Sequence, residues 1–590
     1  MAHWSHVLLV ALALTLVAHE AAASIAAEEN VQEDAQALMR RLLASAQSAV
    51  PEASAAAPAA EVAGVAPETP VVVLGPFNRT ELLLNPGLLR VRTSGCAHIV
   101  SQGFRAAVPD SFLGLSLDVK DVEGVANPDY IELVKQLTSF QTGPLYMRVG
   151  AYSADRLVAP WNGTVYFALA RLHRATGVKF IMGVNQHAED EAVTQMQVKR
   201  SQQLLPPGSI VSFAVGNEPD MYSLAAANGL PGSDLPKPAD WLGKNWVPVA
   251  RRIYRAAFDA AGARPMLAGP DWSDAHLSPK TLQWWLRSVR KSLNMITVHY
   301  YGGEILKDTQ ISELLDDARM VSKMSNVRAL VNVGKESGGL PLRITESATI
   351  SYGGVQGLSD TAGAAIWALD VALELAYAGA SGIHFHQVLN RAGNANYNAI
   401  VYDANTSTVY ARPPLYGYLM LQQSLAGGAD IVGRSVSPSG CKVWLLKGRG
   451  DGSLRAVVIN KSGQGSECAA DVQLDAAQAR RYSDQAAAEY IHAPGGLDER
   501  WRVFYSNWYY DVQGSARLRE AKTVPLQRYS KRDRRGHVRG AGFVAHLTNG
   551  TLAALVNIPL ASPAEQQAFD AYEAALVAAE VREPGARTSL

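Results

Sequence analysis

Between residues 111 and 390 the chain repeats one pattern eight times: a short apolar run, then a longer stretch able to form a helix. The runs are FLGLSLD from Phe112, LYMRVG from Leu145, KFIMGVN from Lys179 and VSFAVGNE from Val211. They continue with PMLAGPDW from Pro265, MITVHYYG from Met295, LRITES from Leu342 and GIHFHQ from Gly382. Most intervals hold an amphipathic segment, such as WVPVARRIYRAAFDAAG or DTAGAAIWALDVALELAYAG. Continuous apolar strands alternating with helices imply a parallel sheet buried on both faces. Eight such units favour a closed (β/α)8 TIM barrel over an open doubly wound sheet. No Gly-x-Gly-x-x-Gly follows the first run, which weighs against a dinucleotide fold.

Beyond about Val409 the texture changes to short alternating segments such as CKVWLLKG, LRAVVINKS and GFVAHLTNGTLAALVN. These predict an appended antiparallel β-sandwich, which the stretch VVVLGPFNRTELLLNPGLLRVRT before the barrel could join. The expected division is a signal peptide at 1–23, an Ala/Pro-rich leader or linker at 24–70, and strands joining the β-domain at 71–110. The barrel then takes 111–408, the sandwich 409–560, and a terminal helix and tail 561–590.

The apolar stretch from Val7 to Ala18 is too short to span a bilayer comfortably, and Ala21-Ala22-Ala23 fits a small-residue cleavage site. Secretion is expected, to the extracellular space, the cell wall or a lysosome- or vacuole-type compartment; an uncleaved anchor is the alternative. No later segment is apolar and long enough for a membrane helix, so stable insertion is not expected. Asn-x-Ser/Thr sequons begin at Asn78, Asn162, Asn405, Asn460 and Asn549. Of three cysteines, Cys441 and Cys468 bracket a hairpin-like stretch with Gly-Asp-Gly at its turn, so a disulfide between them is plausible and Cys96 is left over. Three buried thiols are the alternative. Lys plus Arg and Asp plus Glu both number 54. Such a balance gives no electrostatic reason to expect nucleic acid as partner, and the basic run KRDRRGHVR from Lys531 reads as a solvated loop.

Polar residues gather at the C-terminal ends of the eight runs: Asp118, Arg148, Asn185, Asn217 with Glu218, Asp271, His299 with Tyr300 and Tyr301, Glu346, His384 and His386. That rim is where barrels of this type build active sites. Glu218 and Glu346 end the fourth and seventh runs, on opposite sides of a barrel mouth. A carboxylate pair able to converge on one bond is what glycoside hydrolysis requires: one protonates the leaving oxygen, the other attacks the anomeric carbon or activates water. Retention needs them about 5–5.5 Å apart.

Asn-Glu-Pro after run four, a Glu closing run seven and the sequence TESATISYGGVQGLSDTAGAAIWALDVALELAYAGASGIHFHQVLNRAGNANYNAIVYD together resemble glycoside hydrolase family 79, the β-glucuronidases and heparanases of the retaining (β/α)8 clan. The similarity covers roughly residues 111–425. It implies Glu218 as acid/base, Glu346 as nucleophile, and Asn217 as partner of the sugar 2-hydroxyl. It further implies that Asp118 holds sugar hydroxyls, while Tyr352, the Gly353 and Gly354 N–H groups and Tyr397 receive the glucuronate carboxylate. Of the adjacent tyrosines, Tyr301 is the one favoured to touch nucleophile or substrate. One departure stands out: where the family shows Arg-x-Gly-Gly and a small polar residue, this chain has Arg148-Val149-Gly150-Ala151-Tyr152-Ser153. No long excised linker follows run two.

The expected activity is therefore release of terminal glucuronic or 4-O-methylglucuronic acid from a glycan, without metal or organic cofactor. A heparanase-like endo-enzyme and a neutral-sugar hydrolase of the same clan are the near alternatives. A non-catalytic glycan-binding homologue is more distant. So is a metal-dependent hydrolase using His384-x-His386 with His299. Oligomeric state is not legible.

Overall fold

The computed structural model describes residues 96–100, 105–118, 122–155, 159–222, 245–304, 309–389, 395–462, 468–506, 523–547 and 550–582. The apolar leader, residues 24–70, Asn78 and Asn549 lie outside these. The chain divides into two compact units, residues 69–217 with 251–590, and residues 1–68 with 218–250. Of the smaller unit, residues 218–222 and 245–250 are described; the latter open the helix Val247–Ala260.

In the larger unit eight parallel strands close into a barrel. They are β1 (Leu113–Asp118), β2 (Tyr146–Gly150), β3 (Lys179–Val184), β4 (Ile210–Val215), β5 (Leu267–Trp272), β6 (Leu293–Gly303), β7 (Leu342–Ile350) and β8 (Ile383–Gln387). Each grew from one of the eight apolar runs, and β8 closes the ring by pairing with β1, Ile383 opposite Leu113. Sequence also explains where the helices start and stop. Asn162, Asp190, Ser278, Asp316 and Thr361 each accept a backbone N–H of the first helical turn, meeting donors that would otherwise be orphaned.

The helix Ala362–Ala378 after β7 is buried on all sides except at Tyr377. Its apolar residues run all round because one face packs on the barrel and the other meets a β-layer. That layer is an eight-stranded sheet containing Ala429–Val436, Cys441–Gly448, Leu454–Asn460, Ala486–His492 and Thr551–Ile558. A second, four-stranded sheet holds Cys468–Asp475, Val538–Leu547 and Arg528–Arg532. The two share one core of Val443, Leu445, Val458, Val472, Phe543 and Val556 among others. Strands from before the barrel enter both: Ala106–Val108 pairs with Ala429–Val436, and Cys96–Val100 lies parallel to Cys468–Asp475.

Cys441 and Cys468 are joined, with Cα atoms 5.1 Å apart. The hairpin between them forms within one sheet, Cys441 opposite Asn460, while Cys468 starts a strand of the other sheet. The bond is thus a staple between layers. Closing a loop of 27 residues' separation restricts the unfolded chain by about 3–4 kcal/mol. A Cys441→Ala/Cys468→Ala variant is expected to lose about that much in denaturant unfolding; an unchanged midpoint would show that the bond adds nothing.

Asn162 and Asn405 are exposed, but Asn460 is buried at 2% exposure with its Oδ1 accepting the Ser462 N–H. The sequon there is folded into the sheet and leaves no room for a glycan, contrary to the sequence expectation. The basic run from Lys531 lies at a hairpin in which Arg539 pairs with Asp533, while His537 reaches Glu573 of the helix Pro563–Arg582.

Candidate active site

Arg148, near the end of β2 and 1% exposed, is the hub of the rim. Its Nη1 donates to Glu346 Oε2 at 2.8 Å, and its Nη2 donates to Asn217 Oδ1 at 2.7 Å. Nε and Nη2 both donate to Asp271 Oδ2, at 3.2 and 3.1 Å. One planar guanidinium thus fixes side chains from β5, β7 and the end of β4, a use of its forked donors that a lysine could not match.

Glu346 is 6% exposed, and each of its oxygens has a donor. Tyr301 donates its hydroxyl to Oε1 at 2.6 Å, opposite the Arg148 contact on Oε2. His386 Nδ1 lies 3.7 Å from Oε2 and His299 Nδ1 4.0 Å from Oε1. Burial pushes the Glu346 carboxyl up, but His386, His299, Arg148 and the Tyr301 hydroxyl together outweigh it and hold the group at about 2. Burial keeps His386 itself below its ordinary value despite Glu346 and Asp118.

Asn217 and Glu218 follow β4. The Asn217 N–H donates to Asp155 Oδ2 at 2.7 Å, while Asp155 Oδ1 accepts the N–H groups of Gln186 and His187. One buried carboxylate after β2 thereby ties down the ends of β3 and β4. Glu218 is half-buried in the left-handed backbone region, φ 50°, and its carbonyl accepts the Met221 N–H. Asp118 ends β1 and accepts the Ser153 hydroxyl. Its charge reaches both His386 and Tyr397, so it faces the same pocket as Glu346.

Of the adjacent tyrosines, Tyr301 meets Glu346, while Tyr300 is buried beneath Lys323, whose Nζ sits 5.3 Å from its ring centre. Tyr397 is 5% exposed, near Tyr301 and the Gly353 backbone; burial, then Glu346 and Asp118, push its hydroxyl well above the ordinary range. The loop after β7 differs from expectation. Tyr352, Gly353 and Gly354 take three successive left-handed conformations, φ 53°, 89° and 74°. The turn directs the Gly354 N–H into the loop, to the Ser351 carbonyl at 3.3 Å, rather than toward a sugar. A Cβ on Gly354 would meet Ser359 Oγ at 2.8 Å. Tyr352 stands 51% exposed on the rim.

The departure after β2 has a structural counterpart. Gly150 has φ 141°, and a Cβ there would lie 2.9 Å from Ala154 Cβ and Gly183 Cα. Ala151 next to it is left-handed, φ 44°, and opens a single helical turn that points Ser153 at Asp118. His384 is removed from any metal role. Its Nε2 accepts from Arg343 Nε at 2.6 Å, and its Nδ1 pairs with the Leu115 carbonyl at 3.1 Å. Burial and Arg343 hold it well below its ordinary value, a neutral ring with both nitrogens engaged.

Sequence reasoning placed Arg148 and Asp271 on the rim without a role and overlooked Asp155. The available signal was charge inside apolar text: an arginine in LYMRVG and an aspartate in PMLAGPDW can be buried only if partnered.

No family model matches the chain. A β-glucuronidase of Aspergillus niger is 24% identical over 385 residues, covering 56% of this chain and 69% of that protein. A β-glucuronidase of Neurospora crassa is 24% identical over 240 residues, covering 37% of this chain and 40% of its own length. Among solved structures, a 4-O-α-L-rhamnosyl-β-D-glucuronidase from Fusarium oxysporum superposes with TM-score 0.62 at 14% identity, over 78% of this chain and all of that one. A family 51 α-L-arabinofuranosidase from Bifidobacterium longum gives TM-score 0.54 at 11% identity, over 80% of this chain and all of that one. At such identities the structures speak for fold alone. By sequence the chain is a relative of the fungal β-glucuronidases, and its fold is the barrel with appended β-sheets of glycoside hydrolases.

Proposed function

We propose that the protein is a retaining exo-β-glucuronidase of glycoside hydrolase family 79, acting on terminal glucuronic or 4-O-methylglucuronic acid of a glycan. The observation that carries this reading is Glu346: a buried carboxylate at a barrel mouth, held below its ordinary value by His386, His299, Arg148 and Tyr301, with Arg148 and Tyr301 each donating to one of its oxygens, on a chain related to β-glucuronidases. In the first step a Glu346 oxygen bonds to the anomeric carbon as the glycosidic C–O bond breaks, and Glu218 gives its proton to the departing oxygen. In the second, Glu218 takes a proton from water, the water oxygen bonds to the anomeric carbon, and the ester bond to Glu346 breaks. Asn217 binds the 2-hydroxyl, a reading supported by its contacts with Arg148 and Asp155 beside Glu346. Asp118 binds other hydroxyls. Tyr352, Gly353 and Tyr397 are the residues for the uronate carboxylate, with the Gly354 N–H withdrawn from that set.

The apolar leader and the Cys441–Cys468 bond support export through an oxidising compartment. Among the described residues no helix is long and apolar enough to cross a membrane.

The test compares hydrolysis of p-nitrophenyl β-glucuronide and β-glucoside, with and without EDTA, by the chain lacking residues 1–23. The expected result is a strong glucuronide preference indifferent to EDTA. Glucoside preference would keep the displacement chemistry and remove the carboxylate pocket; inhibition by EDTA would overturn the mechanism.

A further inference from the structure

We infer that Asp271 is a positioning residue for the nucleophile, acting through Arg148; this rests on the glycosidase reading above. Asp271 is fully buried at the end of β5 and reaches no solvent. Its Oδ2 accepts both Nε and Nη2 of Arg148, which fixes the plane of the guanidinium. With that edge held, Nη1 donates to Glu346 Oε2 at 2.8 Å and to Ser116 Oγ at 3.4 Å, while Nη2 continues to Asn217 Oδ1.

Two further hydrogen bonds hold Asp271 itself. Thr345, one residue before Glu346 on β7, donates its hydroxyl to Oδ1 at 2.5 Å. His299 Nε2 stands 3.8 Å from the same oxygen. The Asp271 N–H donates to Thr297 Oγ1 at 3.2 Å, and the residue sits at φ 50°, a left-handed conformation that a non-glycine residue keeps only where its surroundings impose it.

The charge count gives the arrangement a second consequence. Arg148 is shared by two carboxylates, Asp271 and Glu346, so its positive charge is not spent on Glu346 alone. A nucleophile matched one-to-one with a buried guanidinium is a poorer electron donor than one that shares it. Asp271 thus orients Arg148 and at the same time leaves Glu346 reactive.

Asp271→Asn tests this with little threat to folding, because an Asn oxygen can still accept from Arg148 and the arginine stays paired with Glu346. The probe is 2-deoxy-2-fluoro-β-glucuronosyl fluoride, whose leaving group needs little acid assistance, so the rate of covalent labelling reads the Glu346 step. Labelling of Glu346 is located by peptide mass spectrometry. Asp271→Asn is expected to slow labelling about 100-fold, because a neutral amide holds the guanidinium plane less firmly than a carboxylate does and a small misplacement of the attacking oxygen costs that order. The kcat for an aryl glucuronide should fall in parallel with KM little changed, and the unfolding midpoint should stay near wild type. Thr345→Val, which frees one side of Asp271 and leaves its charge, should give a smaller loss of the same kind and serves if the first variant does not fold. Labelling of a folded variant at the wild-type rate would overturn the role of Asp271 alone. Failure of the wild type to be labelled at Glu346 would overturn the glycosidase reading and this inference with it.

Discussion

Glu346→Gln is expected to fold and to lose turnover of an aryl β-glucuronide by at least about 10⁴-fold, as removal of a nucleophile does. The amide keeps the acceptor for Arg148 but has no charge to form the ester. Glu346→Gly should regain activity with added azide and yield the α-glucuronosyl azide, because a single displacement inverts the anomeric centre. A β-azide product, or normal hydrolysis by the Gln variant, would move the nucleophile elsewhere. The pH dependence has a definite sign. A carboxyl held at about 2 in the fold and near its ordinary value when unfolded adds stability that is present above about pH 4.3 and is lost as pH falls through 2. The acid limb of kcat/KM should therefore show no step from Glu346 between pH 7 and 4.

Lys442→Met should destabilise the protein by about 3–5 kcal/mol, the cost of leaving buried carboxylates without their cation. Lys442 is fully buried on the strand Cys441–Gly448, with Nζ 2.8 Å from Asp370, 2.7 Å from Glu374 and 2.6 Å from Asp317. Lys461 reaches Asp370 and Asp317, and Arg434 reaches Asp317 and Glu374, so three cations meet three carboxylates. Asp370 also accepts the Trp444 indole N–H at 3.1 Å. Burial disfavours both charges, yet Lys442 and Lys461 hold the Asp370 carboxyl well below its usual range, while Asp370, Glu374 and Asp317 hold Lys442 above its own. The Asp370 contribution is lost as pH falls through its depressed value, and the Lys442 contribution as pH rises through its raised one. The Asp370 and Lys442 contributions are therefore full between about pH 4 and 10, whereas burial, with Asp370 adding to it, holds the Glu374 carboxyl above its ordinary value, so its contribution is lost as pH rises through that value. Equilibrium urea unfolding measures the loss; a shift below about 1 kcal/mol would show that the pocket repacks or neutralises its acids. Addition of Glu374→Gln to Lys442→Met should recover part of the loss.

The barrel was legible because each strand is a continuous apolar run of its own, and closure follows from counting eight of them. Glu346 and Asn217-Glu218 were legible because charge at a strand tip has no packing reason to be there. Arg148 was visible in the text, but its work depends on four strands converging, which no linear spacing reveals. The Gly353-Gly354 turn could be read as a place of close approach, since glycine permits it. Which way each N–H points depends on φ values that the letters do not carry, and so the Gly354 donor was assigned outward when it bonds Ser351. The cysteine pair was legible from the hairpin between the two residues, whereas its role across two sheets depended on the strand after Cys468 leaving that hairpin's sheet. Asn460 shows the converse limit: a sequon is three letters, and nothing in them says that the strand is interior.

The position of Thr551–Ile558 bears on how the chain is made. This strand lies between Leu454–Asn460 and Ala486–His492, in the interior of its sheet. During synthesis the barrel strands leave the ribosome first, while the sheet beside the helix Ala362–Ala378 waits for one of its central members until almost the whole chain has emerged. Until then the acids of that helix have no finished layer to complete their surroundings. A nascent chain stalled before residue 551 is thus a substrate for chaperones and quality control, even with all eight barrel strands already made.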